Sequence, residues 1–588
     1  MSCKVANPGR GRLSAGLLVL FLIGCHNTTA PISSPPSRYA VLRFENLSGD
    51  PSLDWTGRAI GESLPAALAG ALDGPVLGAS ALTRPSQSLG ARPASAPGIS
   101  SERSDALVAG VNRVITGYVA RAAGQIRIAA TEEDLSTGKT LRIVTATAAS
   151  PMAATEQLAH EFSPRAQNLP TSNPEAWRAW AMALESPTAE SEDLLRRALE
   201  FDPDLGSAWV TLASLDLSRG NRSAAGEVIE QAQRHKLDEF SRANLDLAHA
   251  DLSEDRFTRI AAMRKVSSLS PADTLLLRSL ADAETSAGQF TASASDWIKV
   301  TAAYPNDGLA WNSLGYARSY AGDYAGAIAA IREYERLRPK DANPSDSIGD
   351  VNYSFRKFGE AAAGYLDAYR KQPGFQQAGD LYKAAWAKFR AGDKSGADSL
   401  FSQFRAERSK AKAGDNLIEL LAGDWLYRTG RGTEAVAALR KFASATESAP
   451  VRMDAYAQLT IWDLLRGDRA QADKDSAAIG PKVANPAVFM SRFAAQPSAS
   501  AAEWEARAQK MIPPSLTALR ELAIGYALVL DGKRAAALPV WERIVKTSAA
   551  TDFFSRAMYA RLQGKKEERP LLPDPAGFNQ FLAILDKL

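Results

Sequence analysis

The sequence predicts a mainly α protein: an α-solenoid of repeated helix pairs preceded by a small α/β domain. Three observations predict it. Prolines recur at Pro203, Pro271, Pro305, Pro339 and Pro373, in steps of 68, 34, 34 and 34 residues. From about residue 171, Ala- and Leu-rich helical patterning replaces the strand-like alternation before it. At 588 residues the chain is also too long for one core, so at least two units are expected.

In chain order, residues 1–24 read as a signal peptide. Lys4, Arg10 and Arg12 precede an apolar run of 11 residues, Leu13 to Ile23, which is too short to span a bilayer. The run ends in Leu22-Ile23-Gly24-Cys25. This resembles the bacterial lipobox, in which a small residue precedes the cysteine that becomes diacylated and amino-terminal. The resemblance implies lipidation at Cys25 and a membrane contact through that anchor, worth ~0.8 kcal/mol per buried CH₂. His26 stands where lipoproteins kept in the inner membrane typically carry Asp, so the outer membrane, facing the periplasm, is the expected location. Residues 25–37, with Pro31, Pro35 and Pro36, read as a tether.

Residues 38–165 read as the α/β module. Tyr39 to Phe44 is a short apolar strand, and Glu45 to Pro51 is a dense turn signal. Ile60, Leu64, Leu68 and Leu72 stack at helical spacing. Pro75 to Gly78 suggests another strand, residues 84–103 a Pro/Ser-rich loop, and Arg113 to Ala148 consecutive strands with turns at Gly124 and at Ser136 to Gly138. A helix from Met152 to Phe162 closes the module. The phrase from Ala40 to Pro51, with Gly117-Tyr118 and Ser136 to Lys139, resembles the TolB amino-terminal-like module that precedes repeat arrays in many bacterial proteins. Arg43 departs from the proline usual there. Gly138-Lys139-Thr140 mimics a phosphate-binding loop, but Glu133 replaces its first glycine and a strand, not a helix, follows. A plain hairpin turn accounts for it.

Residues 171–588 read as the solenoid, of about ten units. Leu309 to Pro339 carries Trp311, Leu314, Gly315, Gly322, Tyr324, Ala327, Ile331 and Pro339. Ile348, Gly349, Phe358, Ala361, Tyr365, Ala368 and Pro373 repeat that pattern one period later. A 34-residue period with these residues resembles the tetratricopeptide repeat (TPR). Small residues such as Gly315 and Ala327 let two helices touch, and proline ends the second helix. Further units are expected around Gly220, Gly288, Gly392, Gly430, Gly467 and Gly532. Residues 171–205 form a shortened first unit and 480–516 a degenerate one, Pro539 should kink its helix, and residues 551–588 should cap the open end. The two units are expected to be separable.

Function follows from the resemblance. TPR arrays bind partners on a concave face lined by first helices. The signature register turns Asn312, Tyr316, Tyr320, Asp346, Asp350, Tyr353, Tyr382 and Trp386 inward, with Phe389 and Tyr427 continuing the row. Aromatics beside two carboxylates suit a protein-binding groove, and such residues should be less packed than Trp311 or Ile331. The expected protein is a lipid-anchored adaptor for protein or peptide partners in an envelope complex. The alternative is a ligand- or signal-sensing lipoprotein with the α/β module as sensor.

Other classes are disfavoured. The chain has 69 basic and 66 acidic residues, and the excess of three lies in the leader, so no nucleic-acid partner is expected. The only cysteines are Cys3 and Cys25, and His26, His160, His235 and His249 are not spaced to share a metal. No Ser-His-Asp or Cys-His constellation is visible, so neither enzyme activity nor a cofactor is expected.

Overall fold

A computed structural model of the protein describes residues 37–78, 82, 99–186, 188–253, 255–271, 273–410, 417–480, 486–497, 500–566, 569–574 and 579–588. The signal peptide, Cys25, the tether up to Pro36 and most of the Pro/Ser-rich stretch 84–103 lie outside these residues.

The fold is a TPR-type α-solenoid preceded by a small α/β domain. That domain holds β1 (Tyr39–Val41), β2 (Glu45–Asn46), α1 (Thr56–Leu68), β3 (Val76–Leu77), α2 (Ile99–Val108), β4 (Arg113–Ala122), β5 (Gln125–Asp134), β6 (Lys139–Ala148) and α3 (Pro151–Phe162). The sheet order is β3-β1-β4-β5-β6, with β2 also on β4. β1 lies parallel to β3 and β4, while β4, β5 and β6 form an antiparallel meander. Ala123 and Gly124 both take positive φ, 52° and 79°, which gives the β4–β5 hairpin a turn matching the sheet's right-handed twist. The turn at Gly138 joins β5 to β6, so Gly138-Lys139-Thr140 opens a strand.

Helix pairs follow from Pro174–Glu185 and Thr188–Phe201 onward. The pair Gly308–Tyr320 and Tyr324–Leu337 shows how the sequence builds a unit. Asp307 caps the first helix through its carboxylate, and Asp323 caps the second. Between them Gly322 takes φ 86°. Glycines recur at this turn in most units, but Arg356 (φ 60°) takes the place in the pair Ala342–Ser354 and Phe358–Lys371. At Gly315 an added Cβ would lie 2.5 Å from Ile331 Cδ1 of the facing helix, so only glycine lets the two helices approach. The indole of Trp311 donates to the Pro305 carbonyl (2.9 Å), and Trp209 repeats this bond to Pro203 (2.9 Å).

The 68-residue step hides one whole unit, Glu239–Leu252 and Arg256–Leu269, whose sequence lacks the signature glycine and tryptophan. Pro539 lies inside Arg534–Thr547, and the helix continues through it. The degenerate stretch forms two short helices, Pro486–Ala494 and Ala501–Met511.

The α/β module and the first repeats share one hydrophobic core, running from Tyr39 through Trp177 to Leu245. Trp177 of the first repeat helix is fully buried; its indole donates to Ser63 Oγ of α1 (2.7 Å) and it meets Trp55 edge-on (5.3 Å). A second junction forms at Tyr304, in the turn before Pro305. Its hydroxyl donates to the Ala109 carbonyl and bonds Thr274 Oγ1 (2.6 Å), while Arg38 lies over its ring. The module is therefore seated on the array at two points rather than strung before it.

The array also closes on itself. The Ala550 amide donates to the Ser286 carbonyl (2.8 Å), and Arg256 donates to the Ser548 carbonyl (3.1 Å). The described part of residues 551–588 packs on the last helix pairs and also reaches the concave face, with Phe553 against Tyr320 (5.3 Å) and Arg569 on the Ser319 carbonyl (2.7 Å).

Candidate functional site: the concave face

The first helices of three successive units, Gly308–Tyr320, Ala342–Ser354 and Gly379–Arg390, build the centre of the concave face. The register brings the expected row together, but its residues do three different things.

Asn312, Tyr316 and Tyr320 are half-buried. The side-chain oxygen of Asn312 is buried without a hydrogen-bond partner among the described residues. Tyr316 donates to Asp350 (2.9 Å) with Ser347 Oγ beside its hydroxyl oxygen (3.3 Å), and burial, then the Asp350 and Asp346 charges, push its pKa well up. Tyr320 meets Phe290 (5.4 Å) on one side and Phe553 of the carboxy-terminal region (5.3 Å) on the other. Arg569 lies over Tyr320 (5.2 Å) and donates to the Ser319 carbonyl (2.7 Å). It thereby neutralises the negative end of the helix Gly308–Tyr320.

Asp346 and Asp350 are not free groove carboxylates, which corrects the expectation that they face a partner. They are 3% and 6% exposed, and Lys383 lies between them at 2.7 and 3.1 Å. Tyr365 also donates to Asp350 (2.9 Å). A buried carboxylate persists only where a cation and donors replace water, and both conditions are met internally. Burial works against the Lys383 ammonium, but Asp350 and Asp346 hold its pKa above the ordinary lysine value. Burial raises Asp350, with Lys383 opposing. Next to them Asp380 is 1% exposed, and burial and then the Asp346 charge push it up to about 9. At that value it carries its proton at neutral pH.

The backbone before Asp380 is strained. Gln376, Gln377 and Ala378 take φ of 46°, 54° and 62° in succession. Left-handed residues other than glycine cost about 1–2 kcal/mol each. This left-handed turn replaces the ordinary link between units, brings the Gln376 amide to Asp346 (3.4 Å), and marks where the 34-residue period begins to drift.

Tyr353, Tyr382 and Trp386 are 2%, 3% and 4% exposed, so they are core residues, which corrects the expectation of a loosely packed row. Tyr382 packs on Phe404 (5.3 Å) and Trp386 on Trp425 (4.8 Å). Phe389 meets Trp386 (5.8 Å), and Tyr427 stacks on Trp462 (4.4 Å). Beyond Pro373 the helix Lys394–Ser409 carries Phe401 and Phe404, which pack on Trp425 (4.6 Å) and Tyr382 (5.3 Å) in the same core.

One edge of this aromatic wall remains concave. Tyr353, Tyr382, Trp386, Arg390 and Arg428 face Leu582, Leu585 and Asp586 across a cavity of about 200 Å³. Arg428 donates to Asp586 (2.6 Å) and Asp424 (3.3 Å) and lies over Trp386 (4.4 Å). Burial pushes Asp424 up to about 6, opposed by Arg428. A second cavity, about 670 Å³, opens beside Gln376, Gln377, Lys383 and Arg408.

Lys383, Asp380, Arg428 and Asp586 were not singled out from sequence. For Lys383 a signal existed: two inward carboxylates at i, i+4 need a cation, and Lys383 lies one position from an inward tyrosine. Among the described residues no group of three or more His, Cys, Asp or Glu could hold a metal ion.

No family model matches the chain, and no curated protein does. Among solved structures it is similar to MamA protein, at 20% identity over 30% of this chain and 95% of that one, TM-score 0.25. It is also similar to the C-terminal part of a TPR repeat-containing protein from Cytophaga hutchinsonii (15% identity, 40% and 97% covered, TM-score 0.31). PilF of Pseudomonas aeruginosa is a third (15% identity, 35% and 95% covered, TM-score 0.24). The assignment of helix-pair repeats here stands on their own geometry.

Proposed function

We propose that this chain is a membrane-anchored periplasmic adaptor that binds protein partners on its concave face within an envelope complex, and that it is not an enzyme. The observation that carries this reading is the edge of the first-helix wall that stays concave, where Tyr353, Tyr382 and Trp386 line a cavity of about 200 Å³ with Arg390 and Arg428. Large rigid aromatics beside arginines are the residues that dominate protein-binding surfaces. The unpartnered acceptor of Asn312 on the same wall suits a backbone or side-chain donor from a bound segment.

The anchor reading rests on Leu22-Ile23-Gly24-Cys25 behind a short apolar core and three basic residues. Among the described residues no helix is long and apolar enough to cross a membrane. Cys25 as a diacylated amino terminus supplies the attachment, with His26 favouring the outer membrane, and residues 38–165 as a TolB amino-terminal-like module sit between anchor and array.

The anchor is tested by fractionation and mass spectrometry. The wild-type chain should fractionate with membranes and carry acyl chains on Cys25. Cys25→Ser should move it to the soluble fraction. An unmodified amino terminus beyond residue 25 would remove the anchor from the reading. The adaptor role is tested with a photo-crosslinking residue at position 312. Crosslinks to the same envelope protein, lost on Tyr320→Ala, are expected; crosslinks that ignore Tyr320→Ala would place binding elsewhere.

A further inference from the structure

The carboxy-terminal segment occupies the concave face in an uneven way. Its helix Leu582–Lys587 divides its contacts between two surfaces. Phe581 stacks on Tyr526 (3.8 Å), and Ile584 is fully buried among the last helix pairs. Leu582, Leu585 and Asp586 also line the cavity shared with the wall of Tyr353, Tyr382, Trp386 and Arg428, Leu585 being itself buried beside Ile584. These three residues lie at i, i+3 and i+4, which is one stripe of a helix. The fit on this side is incomplete. A cavity of about 200 Å³ remains between stripe and wall, Leu582 is only half-buried, and the Asp586 side chain is 38% exposed.

The wall's chemistry states what it accepts. Its floor is aromatic and its rim carries Arg390 and Arg428, so it takes an apolar stripe ending in a carboxylate. Asp586 meets Arg428 in that sense, at 2.6 Å. Outside the stripe the segment is held by buried Phe581, Ala583 and Ile584, and by bonds from Lys587 to the Leu465 carbonyl (2.9 Å) and from Gln580 to the Ala487 carbonyl (2.5 Å). The resident segment thus makes the right contacts without filling the space.

We propose that residues 579–588 are an internal stand-in for the partner, which presents a short amphipathic helix with two leucine-sized side chains three residues apart, followed at once by Asp or Glu, and enters by displacing them. The proposal rests on the adaptor reading and names its partner's chemistry. Such a helix takes the places of Leu582 and Leu585 beside the cavity, and its carboxylate replaces Asp586 on Arg428. The affinity of such a partner is reduced by the fraction of time the stand-in is seated.

The test uses the full chain and a fluorescein-labelled peptide of residues 571–588. Leu582→Ser with Asp586→Arg weakens the stand-in at its two more exposed positions. The peptide should bind this variant at least ten times more tightly than wild type. Adding Arg428→Glu should abolish binding, and a peptide carrying Asp586→Arg should restore it. Hydrogen exchange should rise in residues 582–588 while the other repeats keep their protection. If the double variant unfolds, Asp586→Arg alone supports the same comparison. Equal binding to wild type and a folded variant, or no charge-swap rescue, overturns the proposal. A variant that elutes as a dimer also overturns it, because tail exchange between copies would then be the occupant. Failure of the adaptor reading shows instead as an absence of crosslinked envelope protein with this titration unchanged.

Discussion

Asp380 shows most clearly what burial does to one residue. With its pKa pushed up to about 9, it stays protonated through the neutral range. The unfolded carboxyl ionises near about 3.9. A raised folded pKa means that its contribution to stability is fully present below the unfolded value and is lost as pH rises towards the folded one. Wild type should therefore lose stability through this group by about 1.4 kcal/mol per pH unit between about pH 5 and 8. Asp380→Asn keeps the shape but cannot ionise. Urea unfolding at several pH values should show a flatter slope for the variant. Parallel slopes would mean that Asp380 is ionised in the folded protein. Residue identity alone could not announce this, because an aspartate in the first turn of a helix ordinarily reads as solvated; Lys383 is a local neighbour, but Asp346 reaches it only through folding.

At the scale of elements, glycine does two separate jobs that the repeat pattern does not distinguish. Gly315 is needed because Ile331 occupies the space of a Cβ. Gly322 is needed for its φ of 86°, with nothing within 4 Å of an added Cβ. Gly315→Leu should therefore cost about 1–3 kcal/mol or more through overpacking. Gly322→Ala should cost only about 1 kcal/mol, through its backbone. Denaturant midpoints give the order, and a costlier Gly322→Ala would refute the distinction. The first repeat helix makes another element-level prediction. Because Trp177 joins the module's core to the array's, Trp177→Ala should cost about 3–5 kcal/mol and loosen both together. Two melting transitions, with only the module's lowered, would show that the two cores are independent.

At the scale of the whole molecule, contacts between residues some 230 to 290 positions apart turn an open spiral into a closed body. Arg256 to Ser548 and Arg569 to Ser319 are the polar links, and Tyr320 against Phe553 is the aromatic one. Hydrogen bonds to a charged group contribute about 1.5–3 kcal/mol each. Arg569→Glu with Phe553→Ala should open the closure. Small-angle scattering should then report a larger radius of gyration at unchanged helical circular dichroism. An unchanged radius would mean that the last helix pairs hold the closure without these two side chains.

The sequence by itself determined the repeating unit. Proline spacing, turn glycines and the Trp311 and Ile331 positions act within some 34 residues, and each helix pair is a local solution to burying one apolar stripe. The meander of β4, β5 and β6 was legible for the same reason, since alternation and turn residues are local signals. Only the tertiary structure decided what the concave face became. The aromatic row was visible as a register, but its contacts with Phe553, Arg569 and Asp586, the Lys383 bridge between Asp346 and Asp350, and the seat of the α/β module at Trp177 and Tyr304 join segments far apart in the chain. Solenoid curvature brings those segments together. It is the sum of small rotations between units, which no single repeat encodes.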